Sequence, residues 1–139
     1  MEIYTSHKLI TYEYLNHHGT LFAAKTAELF VEAGFTAAAM AVKDPDKIVL
    51  VKVHGMSFTK PIKKGDVIIL KSQIVKVGVT SLTAYISITS GKEGYTPVTG
   101  FITFVTTDEQ GQKIPHGLVL DETKDEAELK LREIAKTLK

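Results

Sequence analysis

The chain has no cysteine and no tryptophan in its 139 residues. The first absence excludes disulfide scaffolds, thiolate metal sites and cysteine nucleophiles. Charge of one sign is also missing: 17 Lys and Arg stand against 16 Asp and Glu, a formal net charge of +1. Domains whose main partner is nucleic acid carry a clear basic excess, so no nucleic-acid partner is expected. No apolar run approaches the roughly 20 residues that span a bilayer, and no membrane partner is expected. The opening residues, Met1 to His7, lack the basic, apolar, then small-residue order of a secretory signal. The expectation is a soluble, cytoplasmic protein. What is present is a globular composition, 44% hydrophobic, enough for one core at this length. No repeat, low-complexity tract or linker divides it. Residues 1–120 read as one domain, with 121–139 a C-terminal amphipathic helix of the same domain.

The strongest periodic segment is 22–42 (FAAKTAELFVEAGFTAAAMAV), rich in alanine and long enough for five or six helical turns. Lys25, Glu28, Glu32 and Thr36 form one narrow polar stripe; most of the remaining girth is apolar. Such a helix is buried on most sides. In so short a chain the wrapper must be a curved sheet. Gly34 in mid-helix costs about 1 kcal/mol relative to Ala, which points to a close approach by a strand. Asp44-Pro45-Asp46 ends the helix.

Strand-like patterns follow over 47–58, 66–77, 81–90 and 97–107, and a short early strand is predicted over 7–14. In 81–90, Leu82, Ala84, Ile86 and Ile88 face one way and Thr83, Tyr85, Ser87 and Thr89 the other. From Asp121 the tail carries acids in its first turns and bases at its end, as a helix dipole favours. Leu120, Ala127, Leu131, Ile134 and Leu138 form its predicted apolar stripe, with Glu126–Lys130 and Glu128–Arg132 as i,i+4 pairs. Strands after a long helix imply an antiparallel α+β domain. One sheet around one helix leaves an edge uncovered, which dimerisation would complete.

Residues 16–24 (NHHGTLFAA) join the first strand to the long helix. Turn-forming residues just before a helix aim its free N–H groups at whatever docks there. A thioester carbonyl, whose oxygen gains charge during hydrolysis, suits that position. The helix stripe offers Glu28 and Glu32 as acid or base.

Asn16, Gly19, Leu21 and Phe22, followed by Ala23 and Ala24, resemble the acyl-CoA thioesterases of the hotdog fold. Val53 to Asp66 resembles that family's strand with its Phe-x-x-Pro-x-x-x-Gly-Asp turn. Val77-Gly78-Val79-Thr80-Ser81 is similar to its Val-Gly-x-Thr-Ser turn, and Phe101 to Val105 with Asp108 to Pro115 supplies a fourth match. The four occur in the family's order across residues 8–116. The resemblance implies an antiparallel sheet of five or six strands wrapped around one central helix. It implies hydrolysis of an acyl-CoA to a carboxylic acid and coenzyme A, without metal or redox cofactor. It also implies a homodimer, assembling to a tetramer or hexamer, whose site straddles two chains. Two relatives in kind are the alternatives: a non-catalytic acyl-CoA-binding hotdog protein, and a hotdog hydratase or dehydratase of acyl thioesters.

Carried onto this chain, Asn16 orients water or the thioester, and the N–H groups around Gly19, Phe22, Ala23 and Ala24 hold the oxyanion. Two departures stand out. The family often has two glycines at Ala23 and Ala24. Its helix aspartate falls on Val31, and Glu32 comes one residue later, a rotation of 100°. Glu32 is the candidate base or nucleophile; its bland reading is a surface glutamate, as for Glu28. Lys60 and Lys63, with Thr80 and Ser81, are the candidate contacts for the coenzyme A phosphates, although a basic edge also deters strand aggregation. Val79 stands where the family commonly has arginine. His17 and His18 lack a third ligand at recognisable spacing, so no metal site is expected. His54 reads as a core or interface histidine.

Overall fold

A computed structural model describes all 139 residues. Strand β1 spans Ile3–Leu9 and is followed by a 3-10 turn, Tyr12–Tyr14. Helix α1 spans Ala23–Val42; strands β2 (Ile48–Phe58), β3 (Val67–Val77), β4 (Ser81–Ser90) and β5 (Val98–Thr106) follow; helix α2, Glu126–Lys136, ends the chain. The five strands form one sheet in the order β1-β3-β4-β5-β2. Every neighbouring pair is antiparallel. The sheet wraps α1, which is the hotdog arrangement the resemblance implies, with five strands.

Small residues let the helix sit close. Ala37 and Ala38 are completely buried. A Cβ on Gly34 would lie 3.1 Å from the Cδ1 atoms of both Ile86 and Ile102, so the close strand approach anticipated at Gly34 is present. Leu82, Ala84, Ile86 and Ile88 are all at 0% exposure, so β4 presents the predicted face to the core. Lys43, in the left-handed region at φ 65°, ends α1, and the Asp44 side chain accepts from the Asp46 N–H to start the next turn.

The Gly65-Asp66 turn locks the sheet. Gly65 adopts φ +83°, open to glycine at little steric cost. The buried Asp66 carboxylate accepts from Ser90 Oγ at 2.5 Å and from the Lys92 N–H at 3.0 Å. One side chain thereby ties the start of β3 to the turn between β4 and β5.

Three local expectations are corrected. The early strand lies at Ile3–Leu9 instead of 7–14, because its register with β3 pairs Ile3 with Gln73 through Leu9 with Val67. Its polar run Thr5-Ser6-His7-Lys8 hides the strand period. Helix α2 starts at Glu126 and not at Asp121: the Asp125 side chain caps it by accepting from the Glu128 N–H at 3.0 Å. Asp121 instead binds the amino terminus at 2.7 Å and Arg132 at 2.7 Å, and these two partners hold its carboxyl below the usual range. The buried face of α2 is also rotated. Glu128 and Ala135 are buried, whereas Ala127 and Ile134 of the predicted stripe are exposed. The cause is the surface beneath: β3 presents Gln73, whose Nε2 donates to Glu128 Oε1 at 2.7 Å. The Glu128–Arg132 pair forms, and no Glu126–Lys130 bridge accompanies it.

Candidate active site

The approach to α1 is built by Asn16. Its Oδ1 accepts from the His18 N–H at 2.8 Å and the Thr20 N–H at 3.2 Å, and its Nδ2 donates to Thr20 Oγ1 at 3.0 Å. Gly19, at φ +78°, closes the turn by donating its N–H to the Asn16 carbonyl at 3.1 Å. The chain then zips back: the Leu21 N–H donates to Ile62 at 2.7 Å and the Phe22 N–H to Tyr14 at 2.8 Å. Asn16 is therefore first a turn-maker, with one Nδ2 hydrogen left over.

Phe22 is the N-cap of α1, and no side chain caps the helix. The first intrahelical bond to the cap comes from the Thr26 N–H, at 2.9 Å. Ala23 and Ala24 are exposed, and their N–H groups point out of an uncapped N-terminus with its partial positive charge. Among the four residues expected to hold an oxyanion, Ala23 and Ala24 offer N–H groups. Those of Gly19 and Phe22 are already committed to carbonyls of the loop.

A cavity of about 300 Å³ opens here. Its walls include Asn16, Ala23, Thr26, Phe58, Lys60 and Val98. Thus the structure brings Asn16, the α1 mouth and Lys60 together. Lys60 Nζ lies 4.8 Å from the centroid of the Tyr95 ring, a cation–π contact. Lys63 is not among the cavity's walls; it follows the wall residue Ile62 and bridges to Thr20 of the loop before α1.

Glu32 is elsewhere in the same chain. It is exposed and lines a separate cavity of about 190 Å³ between α1 and β1, with Ser6, His7, Lys8 and Thr36. Lys8 is its charged neighbour. Nine residues of helix separate Glu32 from Ala23, roughly 14 Å along the axis. Val31 lies one residue round, towards the side where the Phe35 ring meets Phe104 of β5 at 5.9 Å.

Thr80 and Ser81 lie at the far end of the sheet. β4 pairs Ser81 with Val105 there, whereas Val98 at the cavity faces Ile88. Seven residues of strand amount to roughly 23 Å. In this chain their backbone serves the turn: Ser81 O accepts from the Gly78 N–H at 2.9 Å and Thr80 O from the Thr106 N–H at 2.8 Å. His17 and His18 stack at 3.9 Å on the exposed loop, and no group of three or more His, Cys, Asp or Glu could hold a metal ion. His54, on edge strand β2, bonds Thr103 Oγ1 through Nε2 at 2.7 Å. Burial, then Lys52 and Lys76, push its pKa below the ordinary value.

Sequence reasoning missed Thr26, Phe58, Ile62 and Val98 as cavity walls. Thr26 carried a signal: it is the polar residue of the helix's first turns that falls off the exposed stripe, and it is buried at 3% exposure.

The Thioesterase superfamily model matches residues 18–96, more than half of the chain. The chain is 28% identical over 115 residues to the uncharacterized acyl-CoA thioester hydrolase YkhA of Bacillus subtilis, a match covering 80% of this chain but only 66%, just under two thirds, of that relative. An acyl-CoA hydrolase of Staphylococcus aureus, solved with butyryl coenzyme A, coenzyme A and coenzyme A disulfide, superposes with a TM-score of 0.84 at 21% identity, covering 96% of this chain and 79% of that one. The hexameric thioesterase y2039 of Yersinia pestis superposes with a TM-score of 0.72 at 24% identity, covering 85% of this chain and 94% of that one. The structural likenesses speak for the fold, and the family match, which contains His18 to Ala24 of the mouth and the Phe58–Ile62 wall, speaks for descent: the chain belongs to the thioesterase superfamily.

Proposed function

We propose that this protein is an acyl-CoA thioesterase: water adds to the thioester carbonyl, the C–S bond breaks, and a carboxylic acid and coenzyme A leave. The observation that carries the reading is the uncapped α1 N-terminus, with Ala23 and Ala24 open beside a cavity walled by Asn16 and Lys60. Two aligned N–H groups are suited to an oxygen that gains charge in the transition state, where one such donor is worth about 3–4 kcal/mol. The spare Nδ2 hydrogen of Asn16 orients the carbonyl or the attacking water. Lys60 and Lys63 take the phosphates of coenzyme A as point charges. The named activities of the Bacillus subtilis and Staphylococcus aureus relatives support the substrate.

The base is Glu32 from another copy. Within one chain it faces a different cavity from Asn16, so an assembly must unite them. Glu32 then takes a proton from water, or attacks to give a short-lived anhydride that water opens. Assembly has a ready surface. β2 is an edge strand, and its Val49, Val51 and Val53 are 45%, 51% and 42% exposed. Antiparallel pairing of two β2 edges about a two-fold axis would bring the partner's far sheet end, with Thr80 and Ser81, towards this chain's mouth; Glu32, beside β1 at the opposite edge of the sheet, would reach another copy's mouth through a further contact of the assembly. The hexameric relative of Yersinia pestis supports a higher assembly. This chemistry calls on no metal or redox cofactor. A cytoplasmic location belongs to the same reading; no helix is long and apolar enough to cross a membrane.

Thiol release from a series of acyl-CoAs tests the proposal. Hydrolysis abolished in Asn16→Ala and Glu32→Gln supports it. No release from any acyl-CoA by the wild-type protein contradicts it.

A further inference from the structure

Helix α1 starts without a capping side chain, and the first turn of an uncapped helix frays. Two N–H groups proposed to hold an oxyanion need the opposite: a fixed aim before the charge arrives. A capping side chain would fix them only by occupying them. The stiffness has another source. Tyr14, the last residue of the 3-10 turn after β1, holds this end of the helix twice. Its carbonyl accepts from the Phe22 N–H at 2.8 Å. Its ring lies under the Lys25 ammonium, whose Nζ is 4.6 Å from the ring centroid. Ala23 and Ala24 are the residues between these two points. Tyr14 is itself anchored. It packs, half-buried, against the hydrophobic core; its N–H donates to the Thr11 carbonyl at 3.1 Å; and Leu15 beside it bridges to Leu21.

Resting on the thioesterase reading, we infer that Tyr14 is a positioning residue for the reaction: it clamps the start of α1 on both sides of Ala23 and Ala24 and so aims their N–H groups without consuming them. A second cation shares the ring. Lys8 Nζ of β1 lies 5.0 Å from the same centroid, so the ring ties the edge strand to the helix as well. Two ammonium groups over one ring repel each other, and each has a carboxylate to offset that. Lys25 pairs with Glu28 at 3.2 Å, and Glu32 is the charged neighbour of Lys8. Much of the polar stripe on α1 is thereby drawn into the clamp. Tyr14 is not among the walls of the mouth cavity, so it acts through the donors and not on the substrate. Donors that matter most when the oxygen carries charge affect the rate more than the binding.

The test compares Tyr14→Leu, Tyr14→Phe and Lys25→Met in the full-length protein. One readout is kcat and KM for an acyl-CoA that the wild-type protein hydrolyses. The other is hydrogen exchange at the Thr26 N–H, whose bond to the Phe22 carbonyl is the first of the helix. Tyr14→Leu lowers kcat by about 10–100-fold with KM within about twofold of wild type, and speeds Thr26 exchange about tenfold or more. Tyr14→Phe keeps the ring under both ammonium groups and restores both readouts to within about twofold of wild type. Lys25→Met leaves Tyr14 in place and lowers kcat several-fold at unchanged KM; it decides the matter should Tyr14→Leu fail to fold. Three results overturn the inference: a folded Tyr14→Leu protein with wild-type kcat or wild-type Thr26 exchange, a Tyr14→Phe protein as impaired as Tyr14→Leu, or a loss confined to KM. Absence of hydrolysis by the wild-type protein overturns the thioesterase reading instead, and Thr26 exchange in the same variants still tests the clamp.

Discussion

Two regions of α1 carry complementary halves of the proposed hydrolytic site. At its N-terminus, Ala23 and Ala24 offer N–H groups beside Asn16, and no carboxylate is among the cavity's walls. Two and a half turns on, Glu32 offers a carboxylate next to Lys8 in the groove against β1, with no open amide nearby. The first region can hold a developing oxyanion and the second can take a proton. Neither can do both. The difference teaches that the proposed oxyanion donors and the proposed base lie apart within one chain, so the proposed centre draws on a second copy to unite them.

The contrast can be broken from either side. Glu32→Gln has the largest expected effect: kcat falls by about 10²–10⁴ if the carboxylate is the base, while KM and the melting temperature stay close to wild type because the residue is exposed. Stopped assays of thiol release measure it. Asn16 separates positioning from folding. Asn16→Ala removes an acceptor that serves two backbone N–H groups, so it lowers stability by about 1–2 kcal/mol as well as kcat. Asn16→Asp keeps the acceptor and loses the Nδ2 donor. It retains most of the melting temperature and still loses activity, which a purely structural Asn16 would not show.

Smaller effects sharpen the picture. Lys60→Ala raises KM for acyl-CoA several-fold, and the increase shrinks at high salt, because a rim charge acts through a screened field. The smallest effect concerns His54, away from both regions. Its folded pKa lies below its unfolded value, so the neutral form is favoured in the fold. The unfolded chain then binds more protons as pH falls below about 6.5, and stability declines from there downward. His54→Gln reduces that slope in a pH series of chemical denaturation by a fraction of a kcal/mol per pH unit.

Much of the fold was legible because it follows strong periodicities. The alanine-rich girth of α1 called for a wrapping sheet, and Leu82, Ala84, Ile86 and Ile88 gave β4 its inward face. β1 was misjudged because an edge strand half open to water needs no alternation, and Thr5-Ser6-His7-Lys8 supplies none. The stripe on α2 failed for a different reason: a terminal helix docks on what the sheet offers, and Gln73 drew Glu128 inward against the hydrophobic pattern. At the candidate site, the turn chemistry of Asn16 and Gly19 announced an open helix end. The walls of the cavity were hidden, since Phe58, Ile62 and Val98 come together only when β2, its following loop and β5 are paired. A separation of Asn16 from Glu32 is in keeping with the two-chain site that the resemblance implies; that Glu32 faces β1 was not legible, being a matter of how the helix is turned on the sheet.

The most direct test is complementation between two inactive variants. Asn16→Asp and Glu32→Gln proteins are each purified, mixed in equal amounts, dissociated and reassembled together. If each centre takes Asn16 from one copy and Glu32 from another, about one quarter of the centres in a random mixture are intact. Thiol release then returns to about a quarter of the wild-type rate. A reassembled mixture no more active than its separate components contradicts the account.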